Sequence, residues 1–296
     1  MGPDVRDVGR LAAAGRGFLL HRAEVPRERH RDDGHEVTTH IVVLLGQSNA
    51  NGSNTDYEPD GRDARDPRIL VFPGSGPDAG RIVPAREPLA PIGAHPPGGM
   101  GPAGPFASRL VEMLPPDDRI VIVPITMGGT GMRSHGSYAG VWLPGFTKEG
   151  APNLFEIALA QISEVLEAAD DPRVAVINEP RIAAVLWHQG ESDGGRSEGE
   201  YAADLDLVVT ELRRRIPDAA GAPFIVGQLP RDRLRAFPDH QGVCDALRRL
   251  PERIPNTGFA DAPPLGHVND GSTHLTAEGQ RLLGINYFEA YRELVG

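Results

Sequence analysis

The chain has 296 residues, 40% of them hydrophobic, and a formal net charge of −11, which argues against the clustered basic surface that nucleic-acid binding needs. Its only cysteine, Cys244, excludes an intrachain disulfide framework and a cysteine-built zinc cluster. No apolar run approaches the ~20 residues of a membrane helix, and LAAAGRGFLL near the N-terminus, interrupted by Arg16, lacks the layout of a secretory signal. The expectation is a soluble, cytoplasmic protein with neither nucleic acid nor membrane as partner.

Residues 1–39 carry seven arginines and few large apolar side chains, too little to repay the entropy of folding alone. They are expected to form an arm, partly ordered or packed on a body that occupies residues 40–296. That body opens with HIVVLL (His40 to Leu45), followed by RILVF (Arg68 to Phe72), RIVIVPI (Arg119 to Ile125), RIAAVLW (Arg181 to Trp187) and PFIVGQL (Pro223 to Leu229). Continuous Val- and Ile-rich runs of this length suit strands covered on both faces.

Helical spacing fills the intervals: Phe106, Leu110, Val111 and Leu114; then Leu154 to Leu166; then Tyr201, Leu205, Val208, Val209 and Leu212; and last Ala277 to Leu294. Alternating strands and helices predict an α/β fold, doubly wound around a mainly parallel five-stranded sheet. The connections over 73–105 and 128–152 are long and rich in Gly and Pro, as functional loops often are.

In such a sheet ligands bind beyond the carboxyl ends of the strands. Three strand ends are unusually polar or glycine-rich: Gly46-Gln47-Ser48-Asn49, Met127-Gly128-Gly129-Thr130, and His188-Gln189-Gly190-Glu191-Ser192-Asp193. Near the C-terminus, NDGSTHLTAEG holds Asp270 and His274 just before the last helix. Acyl transfer needs a nucleophile, a base within reach of it, an acid to orient the base, and donors for the oxyanion. Ser48, His274, Asp270 and the glycine turns would supply one of each.

GQSNANG, the GGT of Gly128 to Thr130, WHQGESD and DGSTHLT, in that order, resemble the SGNH hydrolase superfamily in its sialate O-acetylesterase-like and acetylxylan-esterase-like carbohydrate esterase branch. The resemblance spans residues 40–294 and implies a three-layer, flavodoxin-like SGNH hydrolase fold with no metal and no organic cofactor. It implies a serine esterase that removes a small acyl group, acetyl by preference, from a carbohydrate or other hydroxylated compound through an acyl-enzyme. Carried over by position, Ser48 is the nucleophile and His274 the base and then the acid. The oxyanion hole combines the Ser48 N–H, a Gly128 or Gly129 N–H and the side-chain amide of Gln189.

Asp270 precedes His274 by four residues where the family's acid stands three before. Asp261, Asp193, Glu191 or a backbone carbonyl are the alternatives for orienting the imidazole. An acyltransferase using the same site and a non-catalytic carbohydrate-binding domain are the rival functions, and an oligomer is compatible with the sequence.

Gln47 and Asn49 beside the serine, and Trp142 and Tyr138 in the loop after Gly131, are expected to contact substrate. The alternative for the aromatics is that they pin the loop to the body. Glu191 and Asp193 are expected to complement the dipole of the helix leading to Tyr201, and His188 to belong to the core. Gly195-Arg196-Ser197-Glu198-Gly199 matches a G-x-S-x-G nucleophile elbow, but it lies several residues past a strand end with charges flanking the serine, so it is read as a decoy.

Overall fold

The computed structural model describes residues 37–92, 98–133, 139–170, 178–264 and 273–296. The arm expected over residues 1–39 falls outside this set except for its last three residues, and the first strand starts at Thr38, two residues ahead of the expected boundary.

Among the described residues nine strands form in chain order: β1 (Thr38–Gly46), β2 (Ile69–Val71), β3 (Val83–Pro84), β4 (Arg119–Thr126), β5 (Thr130–Gly131), β6 (Gly140–Val141), β7 (Asn178–His188), β8 (Phe224–Gly227) and β9 (Thr257–Ala260). The α-helices of the described residues are α1 (Ser48–Asn51), α2 (Ala103–Val111), α3 (Leu154–Asp170), α4 (Glu198–Arg215), α5 (Arg231–Ala236), α6 (Gln241–Arg248), α7 (Leu250–Arg253) and α8 (Ala277–Val295). Among the described residues no helix is long and apolar enough to cross a membrane.

The central sheet has seven strands in the order β3-β2-β4-β1-β7-β8-β9, rather than the expected five. Every pairing is parallel except that of β2 with the two-residue edge strand β3. The two additional strands lack an apolar run: β3 is only Val83–Pro84, and β9 is TGFA, in which phenylalanine is the one large side chain. Pairing with the edge of an existing sheet, not intrinsic preference, makes these residues strands.

β1 lies at the centre, in register with β4 from Thr39↔Arg119 to Gly46↔Thr126 and reaching Gly46↔His188 on β7. Its alternate side chains divide between two cores. Ile41, Val43 and Leu45 point to the face covered by α3, α4 and α6, whereas Val42 and Leu44 meet α2 and α8 on the other. Burial on both faces explains why β1 and β4 read as unbroken apolar runs.

The amino end of the sheet is fastened by charge. His40 Nε2 lies 2.9 Å from Asp118 Oδ2, and Arg181 Nη2 lies 3.3 Å from His40 Nδ1. A guanidinium can only donate, so Nδ1 accepts and the Nε2 proton goes to Asp118. Burial holds the His40 pKa below its ordinary value, against the opposing pull of Asp118. A depressed folded-state pKa means that the unfolded chain takes up protons first, so this contribution to stability is present above about pH 6.5 and is lost as pH falls below it. His40→Gln should therefore reduce the drop in urea midpoint between pH 7.5 and pH 5, measured by circular dichroism.

Candidate active site

At the carboxyl ends of β1, β4 and β7 the chain turns sharply, and glycines permit it. Gly46 has φ +147°, and a Cβ there would sit 2.1 Å from the His188 carbonyl oxygen, so only glycine allows β1 and β7 to converge this closely. The Gln47 N–H then donates to that carbonyl at 3.0 Å, and the Gln47 carbonyl accepts from Asn51 N at 2.9 Å. These two bonds bend the chain into α1 with Ser48 at its first position.

On the neighbouring strand, Met127 N donates to the Gly46 carbonyl at 3.1 Å, which carries the β1–β4 pairing one step past the sheet. A Cβ placed on Gly128 would lie 3.6 Å from the Ser48 Cβ, so the glycine turn passes within van der Waals range of the serine. Gly129 follows with φ +72°. The backbone N–H groups of Ser48, Gly128 and Gly129 donate to no acceptor among the described residues.

Ser48 and Gly129 open onto a cavity of about 390 Å³. Its wall is completed by Gln47, by Glu191, Ser192 and Gly194 after β7, by Arg233, Phe237, Asp239 and His240 after β8, and by Thr273 and His274 before α8. Ser48 and His274, some 226 positions apart, thus share one cavity wall. Tyr138 and Asp270 lie outside the described residues.

Asn49 joins these distant segments. Its Nδ2 donates to Glu191 Oε1 at 2.6 Å and to the Thr273 carbonyl at 2.8 Å, and its Oδ1 accepts from Leu275 N at 3.0 Å. Gln280 of α8 donates to the Asn49 carbonyl at 2.8 Å. The bonds grip the residues on both sides of His274 and leave Asn49 wholly buried. Asn49 is thus not the substrate contact expected from its place beside the serine, because all its polar atoms are directed inward.

Trp142 corrects a second expectation. It is fully buried, its Nε1 donates to Thr130 Oγ1 at 2.9 Å, and its ring meets Trp187 edge to face at 5.1 Å. No face remains for a sugar, so it supports the glycine turn from beneath, in keeping with the alternative of a loop pinned by its own aromatics.

Gln189 is also buried and off the cavity wall. Its Nε2 approaches Asp193 Oδ2 at 2.6 Å, the Thr130 carbonyl at 3.1 Å and Gln47 Oε1 at 3.3 Å, while its Oε1 accepts from Tyr201 at 2.8 Å. Two amide hydrogens facing three acceptors leave none for a ligand in this arrangement.

Asp193 lies beneath the turn, accepting from Met132 N at 3.0 Å as well as from Gln189. Burial raises its pKa, opposed by these hydrogen bonds and by the Arg196 charge. Neither it nor Glu191 serves the dipole of α4, which has Glu198 and Glu200 in its first turn. Ser197 is the N-cap of that helix and accepts from Glu200 N in a reciprocal capping box, so the G-x-S-x-G match is a helix start. Asp261 pairs with Arg231 at the surface and forms no part of the cavity wall.

His188 lies in the core, as expected, with Nδ1 3.3 Å from the Tyr287 hydroxyl and Nε2 3.7 Å from Glu191 Oε1. Burial lowers its pKa. The wall from Arg233 to His240 has no forerunner in the sequence analysis. RDRLRAFPDH carries no motif, and the one available signal is that it follows the carboxyl end of β8.

A serine delivered from the end of a central parallel strand, beside glycine N–H groups and a histidine that precedes the last helix, is the arrangement of the SGNH-type hydrolases. A family model described as carbohydrate esterase, sialic acid-specific acetylesterase matches residues 38–293, and the chain belongs to that family of carboxylic ester hydrolases.

Among its relatives is the Arabidopsis thaliana protein named probable carbohydrate esterase At4g34215, 26% identical over 265 residues that cover 85% of this chain and 89% of the relative. The crystal structure of that plant protein is similar with a TM-score of 0.66 at 25% identity, covering 86% of this chain and 98% of the other. The crystal structure of NanS, 18% identical, shares the fold with a TM-score of 0.68 over 87% of this chain and 98% of its own.

Asn49→Ala would remove the amide that Glu191 Oε1, the Thr273 carbonyl and the Leu275 N–H share. The expected cost is about 3 kcal/mol of stability, since each stranded buried group costs roughly 1–3 kcal/mol. Urea unfolding measures the loss, and faster hydrogen exchange at the Leu275 amide locates it in the His274 segment.

Proposed function

We propose that the protein hydrolyses O-acetyl esters of carbohydrates with Ser48 as nucleophile, forming and then releasing an acyl-enzyme. The observation that carries this reading is that Ser48 and His274 line one cavity at the place where unengaged backbone N–H groups gather. The His274 imidazole takes the hydroxyl proton as Ser48 Oγ attacks the ester carbonyl, then returns it to the departing sugar oxygen. Water enters in its place, is deprotonated by the same imidazole, and releases acetate.

The developing oxyanion is stabilised by the N–H groups of Ser48 and of Gly128 or Gly129. Each such donor is worth about 3 kcal/mol in the transition state. They need no reorganisation, because the β1 and β4 turns already hold them. Gln189 acts behind them, tying the Thr130 carbonyl, Gln47 and Asp193 together so that the glycine turn keeps its shape. Asp270 is proposed to orient the imidazole. Glu191 acts through Asn49 as a positioning residue on the same segment.

Ser48→Ala should lower turnover of p-nitrophenyl acetate about 10⁴-fold or more, as loss of a serine nucleophile does elsewhere. A fluorophosphonate should label the wild-type chain at Ser48 and leave the variant unlabelled, by intact mass and peptide mapping. Activity retained in the variant would overturn the assignment. The acetyl preference has its own measurement, a p-nitrophenyl series from acetyl to octanoyl, in which kcat/KM should be highest for acetyl.

A further inference from the structure

The short helix α1 carries two buried asparagines in opposite circumstances. Every polar atom of the Asn49 side chain is bonded, whereas neither Oδ1 nor Nδ2 of Asn51 has a partner. Glu87 Oε2 and Thr126 Oγ1 are buried and unpartnered as well. Asn51, Glu87 and Thr126 line one small cavity together with Leu44, Leu89 and Pro124, and every residue of its lining is buried. An unmade buried hydrogen bond is destabilising, and native chains seldom gather four such atoms around one space.

Glu87 is held firmly on its other side. Its Oε1 accepts from Arg65 Nη2 at 2.8 Å in a buried ion pair. A Cβ on Gly104 of α2 would collide with both side chains, so the glycine is what admits them. Burial pushes the Glu87 carboxyl up to about 6 against the pull of the Arg65 charge. Above that pH it is a carboxylate whose Oε2 still needs a donor.

The lining defines the ligand. Arg65 already balances the charge of Glu87, so a cation is not called for. Oε2 wants a hydrogen and the Thr126 hydroxyl wants an acceptor, which requires a neutral group that both gives and takes. The cavity allows the centre of a water about 10 Å³ in which to sit, enough for one molecule and nothing larger.

We infer that Asn51, Glu87 and Thr126 form a binding site for one buried water, and that this bridge positions the Ser48 helix against the Gly128–Gly129 turn. The water gives a hydrogen to Glu87 Oε2, accepts one from the Thr126 hydroxyl and bonds one end of the Asn51 amide. Asn51 closes the helix that Ser48 begins, and Thr126 closes β4 two residues before Gly128. The bridge thus sets the spacing of serine and glycine turn from the α2–α8 face of the sheet, opposite the face that holds Trp142 and Tyr201. Its effect on turnover rests on the esterase reading above; the water site does not.

A crystal structure of the wild type, at a resolution that shows ordered water, tests the site. Density within hydrogen-bond distance of Glu87 Oε2, Thr126 Oγ1 and the Asn51 amide is expected, and a dry cavity would overturn the inference. Turnover of p-nitrophenyl acetate at about pH 8, where Glu87 is ionised, tests the positioning. Thr126→Val removes the hydroxyl at nearly constant volume and should lower kcat about tenfold while KM stays within about twofold of wild type. Thr126→Ser keeps the hydroxyl and should retain most of kcat. Unchanged kcat in Thr126→Val would overturn the positioning role, and so would an equal loss in both variants, since the methyl group would then be what matters.

Glu87→Gln combined with Thr126→Val should be no slower than the slower single variant, because both act through one water, and multiplied losses would count against the bridge. Should Glu87→Gln not fold, the two Thr126 variants and the wild-type crystal decide the question without it. Failure of the esterase reading would look different: wild type would turn over no ester, while the crystal would still show whether the water is there.

Discussion

The side-chain amide of Asn49 holds the site together. Its three side-chain bonds reach the turn after β7 and both neighbours of His274, across separations of 142, 224 and 226 residues. A buried amide is worth little unless every polar atom is satisfied, and then it becomes costly to displace. Here satisfaction requires the first strand's end, the β7 turn and the approach to α8 to occupy one arrangement. The local fold of GQSN and the meeting of serine with histidine are therefore the same event. Catalytic geometry of this kind depends on long-range polar packing more than on the sequence immediately around the nucleophile.

A second layer lies beneath. Gly46 allows β1 and β7 to converge, and the Gln189–Asp193–Tyr201 cluster fills the space under the glycine turn with hydrogen bonds instead of methyl groups. The backbone N–H groups of Ser48, Gly128 and Gly129 remain uncommitted among the described residues, whereas the polar side chains behind them are spent on one another. Preorganisation of this sort places rigidity in the scaffold and leaves the reacting surface bare.

The sequence made the centre of this architecture readable. β1 and β4 are covered on both faces, so their apolar runs stand out, and the polar ends of β1, β4 and β7 point to the rim where Ser48, Gly129 and His274 meet. What it hid falls into two kinds. Val83–Pro84 and TGFA become strands only because a sheet edge is there to pair with. Asn49 and Trp142 look like surface residues in a glycine-rich setting, but their burial is decided by partners that sequence spacing does not reveal. The Arg233–His240 wall has no periodicity and no motif, since its contribution is where it lies and not what pattern it makes.

The edge-to-face contact of Trp142 with Trp187 has a spectroscopic meaning, because these are the only two tryptophans in the chain. Both indoles are fully buried, one at the end of β7 and the other bonded to Thr130 in the turn that carries the glycine N–H groups. The tryptophan emission of the protein, excited beyond the tyrosine band, thus arises at a single spot beneath the turn that carries Gly128 and Gly129. The molecule carries its own optical gauge of that floor, with no other indole to blur the signal.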